Sequence, residues 1–427
     1  MNLNFEEFHK LNLSLKELDI IRIKSFKKFE TLGFPTKRQE HWKYTDLKTI
    51  IHNNFSNLEI YKEKKSLQYD KKLLIKNFDH NKIILLNGNF MESDFSLENE
   101  EKISIKSLKV AFENKKDFEE LKSYFEDNQN SMNSLNHALV NDGIILKIDD
   151  NYSLKKPLII YNFFDKMANN KIINNKIFIS LGKESSLSLV DFYKCESNIK
   201  YFNNSMHNYT VKKNGILKKF SINASLDSSY NYNSTQVNSY SNSIFENFLL
   251  SLGPNFIKNE IHCNLLETFS SCFVNGIMFL NGDQHHELKT NINHNYENCK
   301  SSQLIKSVLL DKSNGTYQGK IYVDKNAQKT NGYQLSKALI LSENSEFNSK
   351  PELEIYADDV KCSHGSTTGN IDENSIFYLM SRGLTKNQAN KMIVKGFLNE
   401  AIETITEPEV KLLISQLFSE RINKVSL

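Results

Sequence analysis

Alternation of apolar and polar residues dominates the middle of this 427-residue chain. Between about residues 143 and 370 the pattern repeats every two residues in many short segments, for example residues 216–220, 256–263, 273–279 and 305–309. Polar turns separate these segments, and no sustained helical period intervenes. A two-residue period places successive side chains on opposite faces of a β-strand. The pattern therefore predicts a mainly β region and excludes a doubly wound α/β domain.

The number of predicted strands limits how they can be arranged. So many strands in one open sheet would curl or leave long edges exposed. Sandwiches, barrels and solenoids all avoid this, and the irregular spacing of single strands with few hairpin signals favours a parallel β-helix solenoid. The chain has only 15 glycines, which is few for a fold that turns after every strand. We therefore expect a β-helix without a crisp sequence repeat.

The N-terminal region is predicted to be mixed and mainly helical. Ser14 and Glu17 have the spacing of a capping box, in which each side chain satisfies a backbone N–H of the other. Gly33 and Pro35 are expected to end the helix that follows. Later segments are predicted as two strands, residues 82–86 and 103–108, and a helix, residues 112–125.

The C-terminal region is predicted to be helical from about Asp372. A short helix over residues 375–382 ends at Gly383, and two capping-box pairs, Thr385 with Gln388 and Thr406 with Glu409, precede two amphipathic helices. These helices must cover the open end of the solenoid or bind a partner. The sequence thus predicts three units: a helical domain over residues 1–145, a β-helix core over 146–370 and a helical domain over 371–427.

Composition and charge exclude several function classes. The net charge is +3, which is too small for this length to argue for nucleic-acid binding. No apolar run approaches the roughly 20 residues of a membrane-spanning helix, and Glu6 and Glu7 are atypical of a signal peptide. The five cysteines contain no CxxC pair. We therefore expect reduced, mostly buried thiols in a cytoplasmic protein.

Motifs of common enzyme classes predict no active site. Residues 315–321 are only superficially similar to a phosphate-binding loop, because one residue is missing between the glycines and Ile321 follows the lysine. A turn between strands is the prediction there. His285, His286 and His294 form the densest histidine group, and neighbouring residues of a strand face opposite sides. We predict exposed histidines rather than a metal site, and a protein without catalytic activity of its own.

Residues 360–365 have a more specific pattern. In an extended strand Val360, Cys362 and His364 share one face, which places the thiol and the imidazole about 7 Å apart. Both groups are good ligands for iron, zinc or copper. Two ligands leave a metal site open, which suits transient binding or a site completed by a second subunit. The spacing alone favours the simpler alternative of a buried cysteine beside a structural histidine.

Several segments resemble the SufB/SufD family of the SUF iron–sulfur cluster assembly system. Residues 350–365 (KPELEIYADDVKCSHG) carry the strongest resemblance, and residues 40–45 (EHWKYT) are similar to the family's EDWKYT-type segment, with His41 at a usually acidic position. The resemblance extends through residues 319–323, 327–330, 334, 377–379, 381–383 and 396–397. SufB itself typically has His-Glu-Ala where this chain has Cys-Ser-His-Gly, so a SufB-type scaffold is the weaker alternative. A β-helix carbohydrate-active enzyme would need a secretion signal and a charged groove, and neither is evident.

The resemblance implies a fold and a set of partners. The fold is a mainly β protein with a central right-handed parallel β-helix between N-terminal and C-terminal helical domains. The partners are SufB, paired through the β-helices, and the ATPase SufC, bound by the C-terminal helices. ATP hydrolysis would then belong to SufC. A homodimer through the same strands is the expected form when SufB is absent.

The resemblance also implies site residues. It makes His364, with Cys362 beside it, a candidate ligand of iron or of an iron–sulfur cluster at the subunit interface. The candidate partner-binding residues of the C-terminal helices are Phe377, Tyr378, Arg382, Phe397, Leu413 and Leu417. No tightly bound cofactor is expected, because iron or cluster would bind transiently and a flavin would belong to the full complex. Whether any of the three contacts this chain directly stays open.

Overall fold

The computed structural model describes residues 3–11, 15–62, 69–125, 130–196, 199–223 and 228–427. Strands fill the middle of the chain. In order they are β1 (Glu59–Ile60), β2 (Asn81–Leu86), β3 (Asn89–Asp94), β4 (Ile103–Ser107), β5 (Asp142–Ile148), β6 (Leu158–Phe164), β7 (Lys171–Leu181), β8 (Ser186–Cys195), β9 (Tyr201–Val211), β10 (Ile216–Asn223), β11 (Ser229–Ser239), β12 (Ile244–Ser251), β13 (Phe256–Leu265), β14 (Ser271–Leu280), β15 (His285–His294), β16 (Lys300–Leu309), β17 (Asn314–Val323), β18 (Thr330–Ile340), β19 (Glu346–Ile355) and β20 (Val360–Gly369).

Helices precede the first strand, follow the last strand and also lie between β4 and β5. They are α1 (Phe5–Leu11), α2 (Lys16–Leu32), α3 (Leu47–Asn54), α4 (Leu108–Ala111), α5 (Lys115–Leu121), α6 (Ser131–Leu139), α7 (Glu373–Ser381), α8 (Lys386–Ile402) and α9 (Pro408–Lys424). Of the helices in the described ranges, none combines the length and the apolar character that crossing a membrane requires.

The strands form two ten-stranded sheets. Sheet A holds the odd-numbered strands from β5 to β19 together with β4 and β1, and sheet B holds the even-numbered strands from β6 to β20 together with β2 and β3. All neighbours from β5 onward are parallel. Since the chain alternates between the two sheets, each pair of strands is one turn of a solenoid. The predicted parallel β-helix is confirmed, and its right-handed winding stays a prediction.

Successive turns of the solenoid are similar but not identical in length. Phe256 pairs with His285, and His285 pairs with Asn314, so these two successive turns are equally long. The next turn, from Asn314 to its partner Glu346, is longer. Turn lengths that vary in this way explain why no crisp repeat is visible in the sequence.

Asparagine replaces glycine at many corners of the solenoid. Asn214, Asn242 and Asn298 have φ values of 57°, 53° and 60°, in the left-handed region. Asparagine tolerates this conformation because its short polar side chain can hydrogen-bond locally. At each corner the backbone N–H donates to the next turn, as from Asn214 to the Ser241 carbonyl at 2.9 Å and from Asn242 to the Thr268 carbonyl at 3.1 Å. The small number of glycines is therefore compatible with the fold.

Helices cover the outer faces of both sheets. Sheet A presents outward aromatic side chains, among them Phe202, Tyr230 and Phe256, which pack against the N-terminal helices and Trp42. Sheet B presents a second apolar surface, which packs against α8 and α9. Apolar residues at both inward and outward positions require cover on each side of a strand. Helices α8 and α9 thus cover the side of sheet B and not the open end of the solenoid.

Several local predictions need correction. Residues 112–125 are not one helix, because Asn114 accepts hydrogen bonds from the backbone N–H groups of Lys116 and Asp117 and starts a new helix there. Thr406 forms no capping box, since its hydroxyl accepts a hydrogen bond from Lys218 Nζ at 2.9 Å instead. The capping box of Thr385 and Gln388 is confirmed. Ser14 lies outside the described residues.

Candidate functional site at the open end of the solenoid

The last two strands, β19 and β20, form the open end of the solenoid. Each has one neighbour in the described chain, β17 for β19 and β18 for β20. Their outer edges therefore present backbone N–H and C=O groups that no described strand pairs. Most side chains of β20 are exposed to solvent. This end can accept the strands of another molecule by main-chain pairing.

Cys362 and His364 lie on the side of β20 that continues the inner wall of the solenoid. The strand register pairs Cys362 with Gly332 and His364 with Gln334 of β18. Cys362 packs beside Val360 against a small apolar cluster at the end of the core, whereas His364 is exposed. The two side chains therefore share one face of an unpaired strand, and their role as ligands stays a prediction.

The Cys362 thiol is half-buried. Burial raises its pKa above the ordinary value, although a hydrogen bond from the Gly332 backbone partly opposes this shift. A thiol with a raised pKa stays protonated at neutral pH, and only the thiolate binds a metal well. Metal binding by Cys362 would therefore release a proton. His364 is the more accessible of the two side chains, because it is exposed at the open end.

The open end supplies few ligands of its own. Within the described ranges no three His, Cys, Asp or Glu side chains converge closely enough to hold a metal ion. Cys362 and His364 together offer one sulfur and one nitrogen donor. Iron in a cluster or a tetrahedral site needs about four ligands. A complete site at this position requires donors from another molecule.

The C-terminal helices divide the predicted partner-binding residues into two groups. Phe377 and Tyr378 of α7 are 75% and 57% exposed, and the Arg382 guanidinium lies 5.3 Å from the Tyr378 ring centroid. In contrast, Leu413 is buried, and Phe397 and Leu417 pack against the same core. The first group forms an exposed aromatic surface, and the second group holds the helices on sheet B.

A buried lysine fixes α8 to the solenoid. Lys306 of β16 is 2% exposed, and its Nζ donates to the Phe397 carbonyl at 2.7 Å while lying 4.3 Å from the Phe397 ring centroid. Its ammonium also pairs with Glu400. Glu400 is in turn 3.9 Å from Lys337 on β18, the neighbour of β20. Helix α8, which follows the exposed aromatic surface in the chain, is therefore anchored to β16 and β18, and β18 is the neighbour of the last strand β20.

The second segment that carries the family resemblance, residues 40–45, has a structural role. Trp42 is 1% exposed and lies 4.4 Å from Lys258 Nζ, and Thr45 donates to Glu287, which also pairs with Lys258. Gln318 Nε2 donates to Glu287 Oε1 at 2.6 Å. The segment thus joins the N-terminal helices to the outer face of sheet A. Sequence reasoning identified the segment by resemblance only and did not predict this buried ionic contact.

Sequence reasoning also missed a charged cluster inside the solenoid. Asp191, His207 and Lys219 are all buried, with Lys219 Nζ 3.8 Å from Asp191 Oδ2 and 3.3 Å from His207 Nδ1. Burial raises the pKa of Asp191 and lowers the pKa of Lys219. The only sequence signal was the two-residue spacing of Leu187, Leu189 and Asp191, which places all three side chains on the inner face of one strand. Because all three side chains are buried, we assign this cluster to the core.

Two alternative sites are corrected by the structure. Residues 315–321 lie within β17, so the segment is a strand rather than a turn or a phosphate loop. His286 and His294 are buried at inward positions of β15, and burial lowers the pKa of each to about 4. The prediction of exposed histidines is therefore wrong for both. They share the inner face, but His286 binds Ser251 and the Pro254 carbonyl while His294 binds Ser301.

These features define the chain as a parallel β-solenoid protein whose last two strands have outer edges that no described strand pairs. The chain belongs to the SufBD family. Residues 163–397 match the family profile described as SUF system FeS cluster assembly, SufBD core domain, and residues 5–160 match the SufBD protein N-terminal region. The resemblance inferred from the sequence is thus confirmed at the level of the family.

Two relatives match this chain over most of their length, and a third matches it over about two thirds of this chain. The iron–sulfur cluster assembly protein SufD of Escherichia coli (strain K12) is 25% identical over 396 residues, which cover 91% of this chain and 90% of the relative. An iron–sulfur cluster assembly SufBD family protein of Synechocystis is 23% identical over 386 residues, which cover 88% of this chain and 84% of the relative. The chloroplastic protein ABCI7 of Arabidopsis thaliana is 24% identical over 286 residues, which cover 65% of this chain and 60% of the relative.

Proposed function

We propose that this chain is a non-catalytic subunit of the SUF machinery that pairs with a SufB-type partner through its open end and presents His364 to iron or a nascent cluster in that interface. The observation that carries the proposal is the exposure of His364 on β20, a strand whose outer edge no described strand pairs. The similarity to the SufD protein of Escherichia coli supports the same role.

The chemistry of the open end suits a shared site. A neutral imidazole is a good iron ligand at physiological pH, and the Cys362 thiol beside it becomes a second donor once it loses its proton. Main-chain pairing along β19 and β20 would bring the partner's strands next to His364. The remaining ligands would come from the partner. Iron and sulfide are then substrates of the complex rather than resident cofactors of this chain.

The C-terminal helices suit the docking of an ATPase subunit of the SufC type. Phe377 and Tyr378 on α7 give an exposed aromatic surface of the kind enriched at protein interfaces. Movement of the bound ATPase would reach sheet B through α8, which Lys306 and Glu400 fix to the sheet. Because a β-solenoid is stiff, such movement could displace the open end and give iron access to the interface.

Cluster formation on the reconstituted complex tests the proposal. The chain would be combined with its SufB-type and SufC-type partners, ferrous iron and a sulfide source under anaerobic conditions, and cluster formation would be followed by visible absorption. His364→Ala should abolish cluster formation while the complex still assembles. His364 is exposed, so the substitution should leave the fold intact.

Ser366→Ala is the matched control. Ser366 is exposed and lies two residues further along the same face of β20. This variant should form clusters at the parental rate. Normal cluster formation by His364→Ala in an assembled complex would refute the proposed site. Loss of assembly in both variants would instead assign these side chains of β20 to partner binding.

A further inference from the structure

A buried glutamine lies directly beneath His364 in the wall of the solenoid. The strand register places Gln303 of β16, Gln334 of β18 and His364 of β20 in one row. Neighbouring strands are about 4.8 Å apart, and paired residues of parallel strands point to the same side. Gln334 is 2% exposed, whereas His364 lies at the open end. The amide of Gln334 is therefore the last buried polar group before the exposed imidazole.

The side chain of Gln334 is held in one orientation. Its Nε2 donates to the Glu352 carbonyl at 3.1 Å, across the core on β19. Its Oε1 lies 3.5 Å from the Tyr317 hydroxyl, which itself donates to Gln303 Oε1 at 2.9 Å. Tyr317 is 1% exposed. Because the single hydroxyl proton of Tyr317 goes to Gln303, the Gln334 amide is held by its hydrogen bond to Glu352 and by close packing rather than by a second hydrogen bond.

Gly319 provides the space for this cluster. A Cβ atom at position 319 would lie 2.2 Å from Gln334 Oε1 and 2.4 Å from the Tyr317 hydroxyl. Both contacts are far inside van der Waals range, so any larger residue would displace the amide or the phenol. The glycine is needed here for close approach and not for its backbone angle. The packing around Gln334 is thus tight enough to fix the amide plane.

We propose that Gln334 is a positioning residue for His364, which holds the imidazole toward the open end by giving it a fixed, polar and uncharged support. This inference rests on the proposed function in so far as it makes the imidazole a ligand. A carboxylate at this position would compete with His364 for an approaching cation, and a lysine would repel it. An amide neither competes for the cation nor repels it. Residues that orient metal ligands commonly contribute about 10- to 100-fold to metal affinity.

Two substitutions disturb the support without touching His364. Gln334→Met keeps the length of the side chain and removes its hydrogen bond to Glu352, and Gly319→Ala forces the amide or the neighbouring Tyr317 ring to move. Tyr333→Phe is the matched control, because Tyr333 lies next to Gln334 on β18 and its side chain is 43% exposed on the opposite face of the strand.

The first readout is the histidine NMR spectrum of the isolated chain. The chain has 11 histidines, and the ring resonance of His364 is assigned by its loss in His364→Ala. We expect this resonance to shift in Gln334→Met and Gly319→Ala and to stay in place in Tyr333→Phe. The second readout is the rate of cluster formation in the reconstituted complex, which should fall about tenfold in the same two variants.

The outcomes separate this inference from the proposed function. An unmoved His364 resonance in folded Gln334→Met and Gly319→Ala refutes the positioning role, whatever His364 does in the complex. A parental rate of cluster formation in both variants, with His364→Ala inactive, refutes it as well. Parental activity of His364→Ala refutes instead the proposed function.

Discussion

Replacing Lys176 with methionine should stabilise the protein at neutral and acidic pH. Lys176 is completely buried on β7, beneath the N-terminal helices. Its Nζ lies 3.3 Å from the Met206 sulfur and 4.6 Å from the Phe125 ring centroid. Neither group compensates an ammonium as a carboxylate would. Burial therefore lowers the pKa of Lys176 from 10.5 to about 7.

The expected magnitude follows from this shift in pKa. The folded state disfavours the charged form, so the destabilisation is complete below pH 7 and disappears as the pH rises from 7 to 10.5. At about 1.4 kcal/mol per pKa unit, the full effect is at most about 5 kcal/mol. Linkage predicts that it falls by about 2–3 kcal/mol between pH 6 and pH 9. Lys176→Met removes the charge at nearly the same volume.

Urea unfolding at pH 6 and pH 9 measures this effect. Trp42, the single tryptophan, lies at the contact of the N-terminal segment with sheet A and reports on that region by fluorescence. Lys176→Met should unfold at higher urea than the parent at pH 6, with a smaller difference at pH 9. Lys183→Met, at an exposed corner, should show no such pH-dependent difference. The reasoning would be refuted if Lys176→Met were less stable than the parent at pH 6. It would also be refuted if the urea midpoints of the two proteins differed equally at both pH values.

Three further predictions test other parts of the structure. Phe377→Ser should weaken binding of a SufC-type ATPase in a pull-down without lowering the melting temperature, whereas Leu412→Ser, at an exposed position of α9, should leave binding unchanged. Glu287→Gln should cost about 1.5–3 kcal/mol in unfolding free energy, because the buried Lys258 ammonium loses its closest partner and keeps, among the described residues, only Glu260 at 3.6 Å as a carboxylate partner. Asn242→Ala should cost about 1 kcal/mol in thermal unfolding and Asn242→Gly much less, since φ at this corner is 53°.

The architecture could be predicted because strand periodicity is a local property. Alternating segments such as residues 256–263 and 305–309 became strands of a parallel solenoid, as the sequence indicated. The boundaries were less accurate where side chains compete with the regular pattern. Asn114 splits a predicted helix by capping a new one, and Thr406 forms its hydrogen bond with a lysine of a distant strand. Such contacts depend on tertiary neighbours, and the sequence alone does not place them.

The candidate site shows the same division between local and distant information. The sequence predicted that Cys362 and His364 lie on one face of a strand. It did not predict that this strand, β20, is the last described strand of its sheet. The burial of Leu413 also depended on which surface α9 packs against. Gln334 could not be recognised as the neighbour of His364, because the register of β18 and β20 depends on the length of the turns and of the strand between them.

Nitrogen hyperfine coupling on an assembled cluster tests the central claim most directly. The chain would be labelled with ¹⁵N at histidine only, assembled with unlabelled partners and iron, reduced to a paramagnetic state and measured by electron–nuclear double resonance. We expect a ¹⁵N coupling from a directly bound imidazole, which disappears in His364→Ala and persists in Ser366→Ala. A paramagnetic cluster without any ¹⁵N coupling, or one whose coupling survives in His364→Ala, would contradict the account.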